Sequence, residues 1–312
     1  MKQYLDLLED ILLHGEERGD RTGVGTISVF GRQLRFDMSK GFPAVTTKKL
    51  AWKAVCSELL WFLEGSSNEH RLAEIKNDNK PYNELTEKER NTIWTLNYEK
   101  QGKDLGYDNG ELGPVYGHQW RHWDYRVETP SKELDENNEP VMYVDNDFVD
   151  QIQNVIDKIK NNPTDRRLLV SAWNVAELNK MALPPCHYGF QFYVSGKNKE
   201  YLSLMWNQRS VDSFLGLPFN IASYALLLHI IARITNKIPC ELIGNLGDTH
   251  IYKNHLDVVR KQIERSPHKL PELVMPDADY SSLDAFLKSV KTSDFKLKNY
   301  ICDETLKAPM AV

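Results

Sequence analysis

The feature that most constrains this chain is the apolar run "YALLLHIIA", Tyr224–Ala232, inside the segment "LPFNIASYALLLHIIARI". The run is too short to span a bilayer and carries His229, so it reads as part of a central helix in a buried core. Strand signals crowd just ahead of it, in "RRLLVSAWN", "HYGFQFYV" and "EYLSLMWNQRS", and strand "CELIGN" follows it. Near the N-terminus, "YLDLLEDILLHGEE" sets Leu5, Leu8, Ile11 and Leu12 on one helical face, with Gly15 as its stop. "TISVFGRQLRFD" reads as a strand interrupted at Gly31. "LAWKAVCSELLWFLEG" reads as a largely buried helix that contains Glu58. "FVDQIQNVIDKIKNNP" places Phe148, Ile152, Val155, Ile156 and Ile159 at helical spacing and ends at Pro163. The expectation is one α+β domain over residues 1–312, with no repeat and no linker. The polar stretches 75–92 and 127–147 read as surface insertions.

Bulk properties narrow the function. A chain of 312 residues can bury a sizeable core. A net charge of −5 does not suit a bulk nucleic-acid or membrane binder, although local basic pockets remain open. The four cysteines, Cys56, Cys186, Cys240 and Cys302, form no C-x-x-C pair, which argues against a zinc ribbon and leads us to expect no metal. With no signal-peptide pattern, a cytoplasmic, reducing setting without disulfides is expected.

The segment "MALPPCHYGFQF" raises a sharper question. A free cysteine is among the most buried residue types, so Cys186 taken alone reads as core filler. Two prolines before it and His187 after it pull the other way, toward a nucleophile. A thiolate becomes useful when positive groups lower its pKa, so the question is whether arginines converge on it. "GDRTG" holds Arg21 at a glycine turn, "DRR" holds Arg166 and Arg167 at a strand start, and "NQRS" ends a strand with Arg209 and Ser210. Each is a surface charge if read singly. Arginine with a hydroxyl or backbone N–H at a loop is also how a phosphate is held.

Three further features join this set. Glu58 in a buried helix is either salt-bridged or an acid/base whose pKa burial raises. In "GNLGDTHIY", His250 and Tyr252 alternate and can point to one face. In "PFNIAS", Asn220 is either an N-cap or an amide that reads a base edge. A P-loop and a G-x-G-x-x-G fingerprint are both absent.

These motifs in this order resemble the cysteine-nucleophile, folate-dependent thymidylate synthase family. The resemblance runs through "DRTGVGT", "GFPAVTTKK", "ELLWFLEGSSN", "LGPVYGHQWR", "DRRLLVSAWN", "MALPPCH", "QRSVDSFLGLPFNIASYALL", "GDTHIY" and "LKAPMAV", nearly the whole chain. It implies a mixed β-sheet packed by helices, with one sheet face forming a homodimer interface. It implies dUMP as substrate and 5,10-methylenetetrahydrofolate as cosubstrate, with no metal, no membrane and no need for DNA. Cys186 would add to C6 of the pyrimidine. Arg21, Arg209 and Ser210 would hold the 5′-phosphate, and Arg166 and Arg167 would reach the neighbouring subunit's site. Asn220 would read the uracil edge, and His250 and Tyr252 the deoxyribose hydroxyl. Glu58 with His187 would manage protons, and Tyr116 would assist loss of the C5 proton. Trp94, Asp212, Leu215, Gly216, Phe219 and Ala311 would line the folate site, with the tail to Val312 closing over it.

Three positions depart from the pattern. Thr95 follows Trp94 where the synthases usually carry an acid or amide. Asn207 stands where many carry tyrosine, and Ala51 where some carry a folate-contacting histidine. A related branch, the phage deoxycytidylate hydroxymethylases, shares the first two features. Two alternatives to reductive methylation follow: a dUMP hydroxymethylase, in which water captures the methylene at C5, and a non-catalytic nucleotide- or RNA-binding relative. Asn220, where the cytosine enzymes carry aspartate, and the intact tail point to dTMP as product.

Overall fold

The computed structural model describes residues 1–20 and 23–310. Arg21 and Ala311, both assigned to the site from the sequence, lie outside the described residues.

The strand block forms a six-stranded sheet in the order β1-β2-β8-β7-β6-β5. Its strands are β1 (Glu16–Arg18), β2 (Thr26–Asp37), β5 (Leu169–Ser171), β6 (His187–Ser195), β7 (Tyr201–Asp212) and β8 (Ile238–Tyr252). The pairing is antiparallel except between β7 and β8, which run parallel. A parallel pair needs a crossover, and the central helix Gly216–Ile234 supplies it. That helix packs on β7, β8 and the helix Trp52–Glu64. At 19 residues it is long and apolar enough to cross a membrane, but most of it is buried inside the fold. Burial against the sheet, rather than shortness, is what fixes its place.

Alternation along the strands sorts the two faces of the sheet. Phe190, Phe192, Leu202, Leu204 and Trp206 point to the helices and are fully or almost fully buried. Tyr193 and Phe30 point the other way and are 67% and 79% exposed. On the helix side, Trp206 stacks on Tyr224 with 6° between the rings. Gly244 faces Trp206 across β7 and β8, and a Cβ there would stand 2.4 Å from the indole. The core stacking therefore depends on a residue without a side chain. Gly31 adopts φ 73° within β2, which matches the interruption read from the sequence.

The first helix spans Lys2–His14 and stops at Gly15 as expected. The helix Gln151–Asn161 buries Ile152, Val155, Ile156 and Ile159. Phe148 does not belong to it. It lies on β4 (Pro140–Val149), which pairs with β3 (Trp123–Leu134) as a separate antiparallel ribbon. The stretch 127–147 is thus a hairpin, turned at Asp135, whose carboxylate accepts the Asn137 and Glu139 amides. The stretch 75–92 carries a 3-10 turn, Tyr82–Glu84, and a one-turn helix, Glu87–Arg90, opened by a Thr86–Glu89 capping box.

Candidate functional site

A cavity of ≈ 500 Å³ opens where the ends of β7 and β8 meet the segment before β6. Cys186, Arg209, Ser210, His250 and Tyr252 line it together, with Arg18, Asn97, Leu183 and Met310. The structure therefore brings the predicted nucleophile to the predicted phosphate and sugar groups.

Cys186 is held by its backbone. Its N–H donates to Tyr116 Oη at 2.8 Å, and its carbonyl accepts from Arg209 N at 2.8 Å. Arg209 turns back on the same segment, donating to the carbonyls of Pro185 and Pro184, with Nη2 3.9 Å from Cys186 Sγ. Burial raises the thiol pKa and Arg209 opposes it, with a net upward result. One described arginine thus reaches the thiol, and it offsets only part of the desolvation.

Behind the cysteine lies a buried polar set. Glu58 Oε1 accepts from Trp94 Nε1 at 2.7 Å. Desolvation raises the Glu58 pKa to about 7, and the indole hydrogen bond works against that rise. His187 Nδ1 lies 2.7 Å from Tyr224 Oη, and burial lowers the imidazole pKa to about 3, so His187 is neutral. Tyr116 packs between the His187 ring, at 4.4 Å, and the Phe62 ring, at 4.9 Å. Tyr224 escaped the sequence reading because it sits in an apolar helix. A single hydroxyl in the run "YALLL" is the only signal it offers.

Asn220 is the fifth residue of the central helix and not its N-cap, which is Leu215. Its Oδ1 accepts from Gln208 Nε2 at 3.1 Å. Gln208 is itself fixed, since its Oε1 accepts from Trp206 Nε1 and its Nε2 also reaches the Ser210 carbonyl. Gln208 was missed from sequence because it reads as one more residue of a buried strand. Asp248 was missed as well. It accepts from Ser28 and Arg18, and its Oδ1 lies 3.1 Å from His250 Nδ1, which orients that ring. His250 and Tyr252 share one face as expected, with ring centroids 5.1 Å apart.

Asp212 Oδ1 accepts the amides of Phe214 and Leu215, so the carboxylate caps the turn into the central helix. Leu215 and Phe219 are partly buried against the core, and Gly216 opens the helix. His255 connects this turn to the C-terminal tail. Its Nε2 donates to the Pro309 carbonyl at 2.8 Å and its Nδ1 lies 3.8 Å from Asp212 Oδ1. Burial would lower the His255 pKa, but the nearby Asp212 carboxylate and the bond to Pro309 carry it upward. The tail is also tied by Arg265, which donates to the Glu304 carbonyl.

The remaining predicted residues sit elsewhere. Arg166 and Arg167 are exposed just before β5 and do not line the Cys186 cavity of their own chain. Arg167 instead pairs with Asp165. Of the departures, Asn207 accepts from Asn245 across β7 and β8, and lines a surface groove with Phe30 and Tyr188 on the open face of the sheet. Thr95 and Thr92 both donate to Glu69 Oε1, a carboxylate 2% exposed. These bonds tie the segment after Trp94 to the helix Glu69–Lys76. Ala51 is an exposed residue at the start of the helix Trp52–Glu64.

The chain matches the family model "Thymidylate synthase" over residues 2–312. It is 50% identical over 311 residues to a protein of Escherichia phage T5 described as a probable thymidylate synthase, with all of both chains covered. It is 50% identical over 321 residues to the thymidylate synthase of Enterobacteria phage T4, again with full coverage of both. The crystal structure of thymidylate synthase from T4 phage superposes with a TM-score of 0.84 at 48% identity, covering 100% of each chain.

Proposed function

Because the chain belongs to the thymidylate synthase family, we propose that it converts dUMP to dTMP with 5,10-methylenetetrahydrofolate, giving dihydrofolate. The observation that carries this reading is the meeting of Cys186 with Arg209, Ser210, His250 and Tyr252 around one cavity.

The residues fit the chemistry in turn. Arg209, Ser210 and Arg18 make one end of the cavity suited to a phosphate dianion. With His250 and Tyr252 on the sugar, the pyrimidine lies between Cys186 and the Asn220 amide. Gln208 donates to Asn220 Oδ1, which leaves the Asn220 N–H donors to face the O4 side of the ring. The Cys186 thiolate then forms a bond to C6. The C5–C6 π pair moves to C5 and O4, and the Glu58 set delivers a proton or hydrogen bond at O4. A nucleophile and a remote acid acting together are what a poor electrophile requires. A thiol whose pKa burial raises suits this order, because a bound phosphate need not face a permanent thiolate. Tyr116, whose Oη accepts the Cys186 amide, is close enough to the nucleophile to assist loss of the C5 proton.

5,10-Methylenetetrahydrofolate supplies the one-carbon unit and the hydride when bound. The Asp212 carboxylate beside the partly exposed Leu215 and Phe219 suits a planar ring that donates N–H groups. Trp94 is buried against Tyr116 with its N–H on Glu58, which links this expected folate-site residue to the proton-handling set. A docked tail would exclude water from the reacting centre and favour hydride as the last donor. The position of Asn207 on the open sheet face removes one of the two features shared with the hydroxymethylases from the reaction site.

Residues 1–312 read as one domain carrying two surface insertions. The open sheet face, with Tyr193 and Phe30 exposed, suits a homodimer in which Arg166 and Arg167 reach the partner's cavity. A cytoplasmic setting agrees with four free cysteines among the described residues. Incubation with dUMP and methylenetetrahydrofolate, followed by mass analysis of the nucleotide, tests the reading. A methyl product with dihydrofolate is expected, absent in Cys186→Ser. A hydroxymethyl product with tetrahydrofolate would replace the synthase by its hydroxylating relative.

A further inference from the structure

The helix Gly117–Arg121 ends beside the base of the β3–β4 hairpin. Two histidines and an aspartate meet there. His118 Nε2 lies 3.2 Å from Asp124 Oδ2, and His122 Nδ1 lies 2.9 Å from Asp124 Oδ1. The donor atoms of all three residues fall within 4.8 Å of one another. None of the three lines the Cys186 cavity.

We propose that His118, His122 and Asp124 form a surface site for a borderline divalent transition-metal ion, best represented by Zn²⁺. Two imidazoles and one carboxylate are the donor set that Zn²⁺ takes with three protein ligands, water completing the fourth position. Ligand bonds of about 2.0–2.1 Å in a tetrahedron put neighbouring donor atoms roughly 3.3–3.5 Å apart. The observed 2.9 and 3.2 Å therefore need only a small opening of the cluster to admit the ion. The donor set argues against Mg²⁺ and Ca²⁺, which prefer oxygen ligands.

The cluster is also ordered from outside. The Phe148 ring stacks on His122, with centroids 3.9 Å apart and 12° between planes. Phe148 is the cross-strand partner of Asp124. One side chain of β4 thus fixes the second histidine over the strand that bears the carboxylate. A bound ion would tie the helix to β3 and, through the Phe148 stack on His122, to β4 of a ribbon that is otherwise exposed. Two-stranded ribbons are marginal in water by themselves, which gives such a tie a structural use.

The probe is Zn²⁺ titrated into the full-length protein at neutral pH, with Co²⁺ as a spectroscopic substitute. One equivalent is expected to bind in the micromolar range and to raise Tm, while Mg²⁺ does neither. His122→Ala and Asp124→Asn each weaken binding by more than ~10-fold, with turnover of the metal-free protein unchanged. His118→Ala provides a third variant on a different element, in case either of these disturbs the hairpin. The proposal is overturned if no equivalent binds, if all three variants bind as the parent does, or if Co²⁺ shows thiolate charge-transfer absorption, which would place the ion on a cysteine.

Discussion

The indole of Trp94 donates to Glu58 Oε1 at 2.7 Å, and both groups are nearly excluded from solvent. Burial pushes the Glu58 carboxyl up to about 7, and this one bond to its ionised form keeps it from going higher. Trp94→Phe removes the donor and keeps the ring. A hydrogen bond to a charged group contributes ~1.5–3 kcal/mol, so the Glu58 pKa should rise by about one to two pH units. The limb of the kcat/KM profile that reports Glu58 moves up accordingly. An unmoved profile in Trp94→Phe means that the indole bond does not set this ionisation.

The same carboxyl makes stability depend on pH in an unusual direction. Its folded pKa, about 7, lies above the ordinary value of 4.5, so the folded state binds the proton more tightly. The stabilisation is fully present below pH ~4.5 and is lost as pH rises through 7. His187 runs oppositely. Its folded pKa, about 3, lies below 6.5, and its contribution is lost as pH falls from 6.5 toward 3. Between pH 5 and 6.5 the two offset each other. The difference in unfolding free energy between the parent and Glu58→Gln isolates the first effect. The parent should gain about 2 kcal/mol on that variant between pH 7.5 and 5.5. Denaturant melts at the two pH values measure this, and a pH-independent difference contradicts the burial argument.

Much of this architecture is legible in the chain, and the illegible parts share a physical cause. Period-two alternation in 187–195 and 201–212 and helical periodicity in 2–14 and 151–161 survive because each element buries one face. Phe148 was drawn into a helix because its spacing fits, although Asp150 caps that helix after it. The hairpin at 123–149 is hard to read because it has no buried face to impose a pattern. In the site, charged and nucleophilic residues announce themselves at turns. Gln208, Tyr224 and Asp248 do not, because each has a partner, Asn220, His187 and Ser28 in turn, that lies 12, 37 and 220 residues away, and no local spacing encodes those pairs. The Thr95 hydroxyl finds its carboxylate partner, Glu69, 26 residues earlier, a pairing visible only once the two elements pack together.

Gln208 sets which way the Asn220 amide points, since its N–H donates to Asn220 Oδ1 at 3.1 Å. Gln208→Leu keeps the volume and frees the amide to flip. The KM for dUMP should rise by ~10-fold or more, since a hydrogen bond of about 1.4 kcal/mol corresponds to that factor. Asn220→Asp should shift preference toward dCMP, because a protonated carboxyl complements the amino-pyrimidine edge. Gln208, by donating to that carboxylate, favours its ionised form and limits the gain. The double variant should therefore prefer dCMP more strongly than Asn220→Asp alone. Steady-state competition between dUMP and dCMP decides it, and equal preference in single and double variants removes Gln208 from the account.

His255 joins two parts of the site that no sequence motif connects. It donates to the Pro309 carbonyl, and its other nitrogen approaches Asp212, so tail position and folate-site carboxylate share one buried ring. His255→Phe keeps the packing against Phe214 and Tyr252 and loses both polar links. The tail then loses its buried anchor near the cavity, while the phosphate and sugar groups remain in place. The KM for methylenetetrahydrofolate should rise severalfold while dUMP binding stays near the parent value. A loosened tail also admits water, so a fraction of the nucleotide should leave as hydroxymethyl-dUMP, where the parent gives dTMP alone. Product ratios by mass spectrometry, taken beside dUMP affinity by fluorescence quenching, separate this from general unfolding, which would weaken both ligands. Unchanged folate KM and a pure methyl product in His255→Phe would show that the Pro309 anchor does not govern closure.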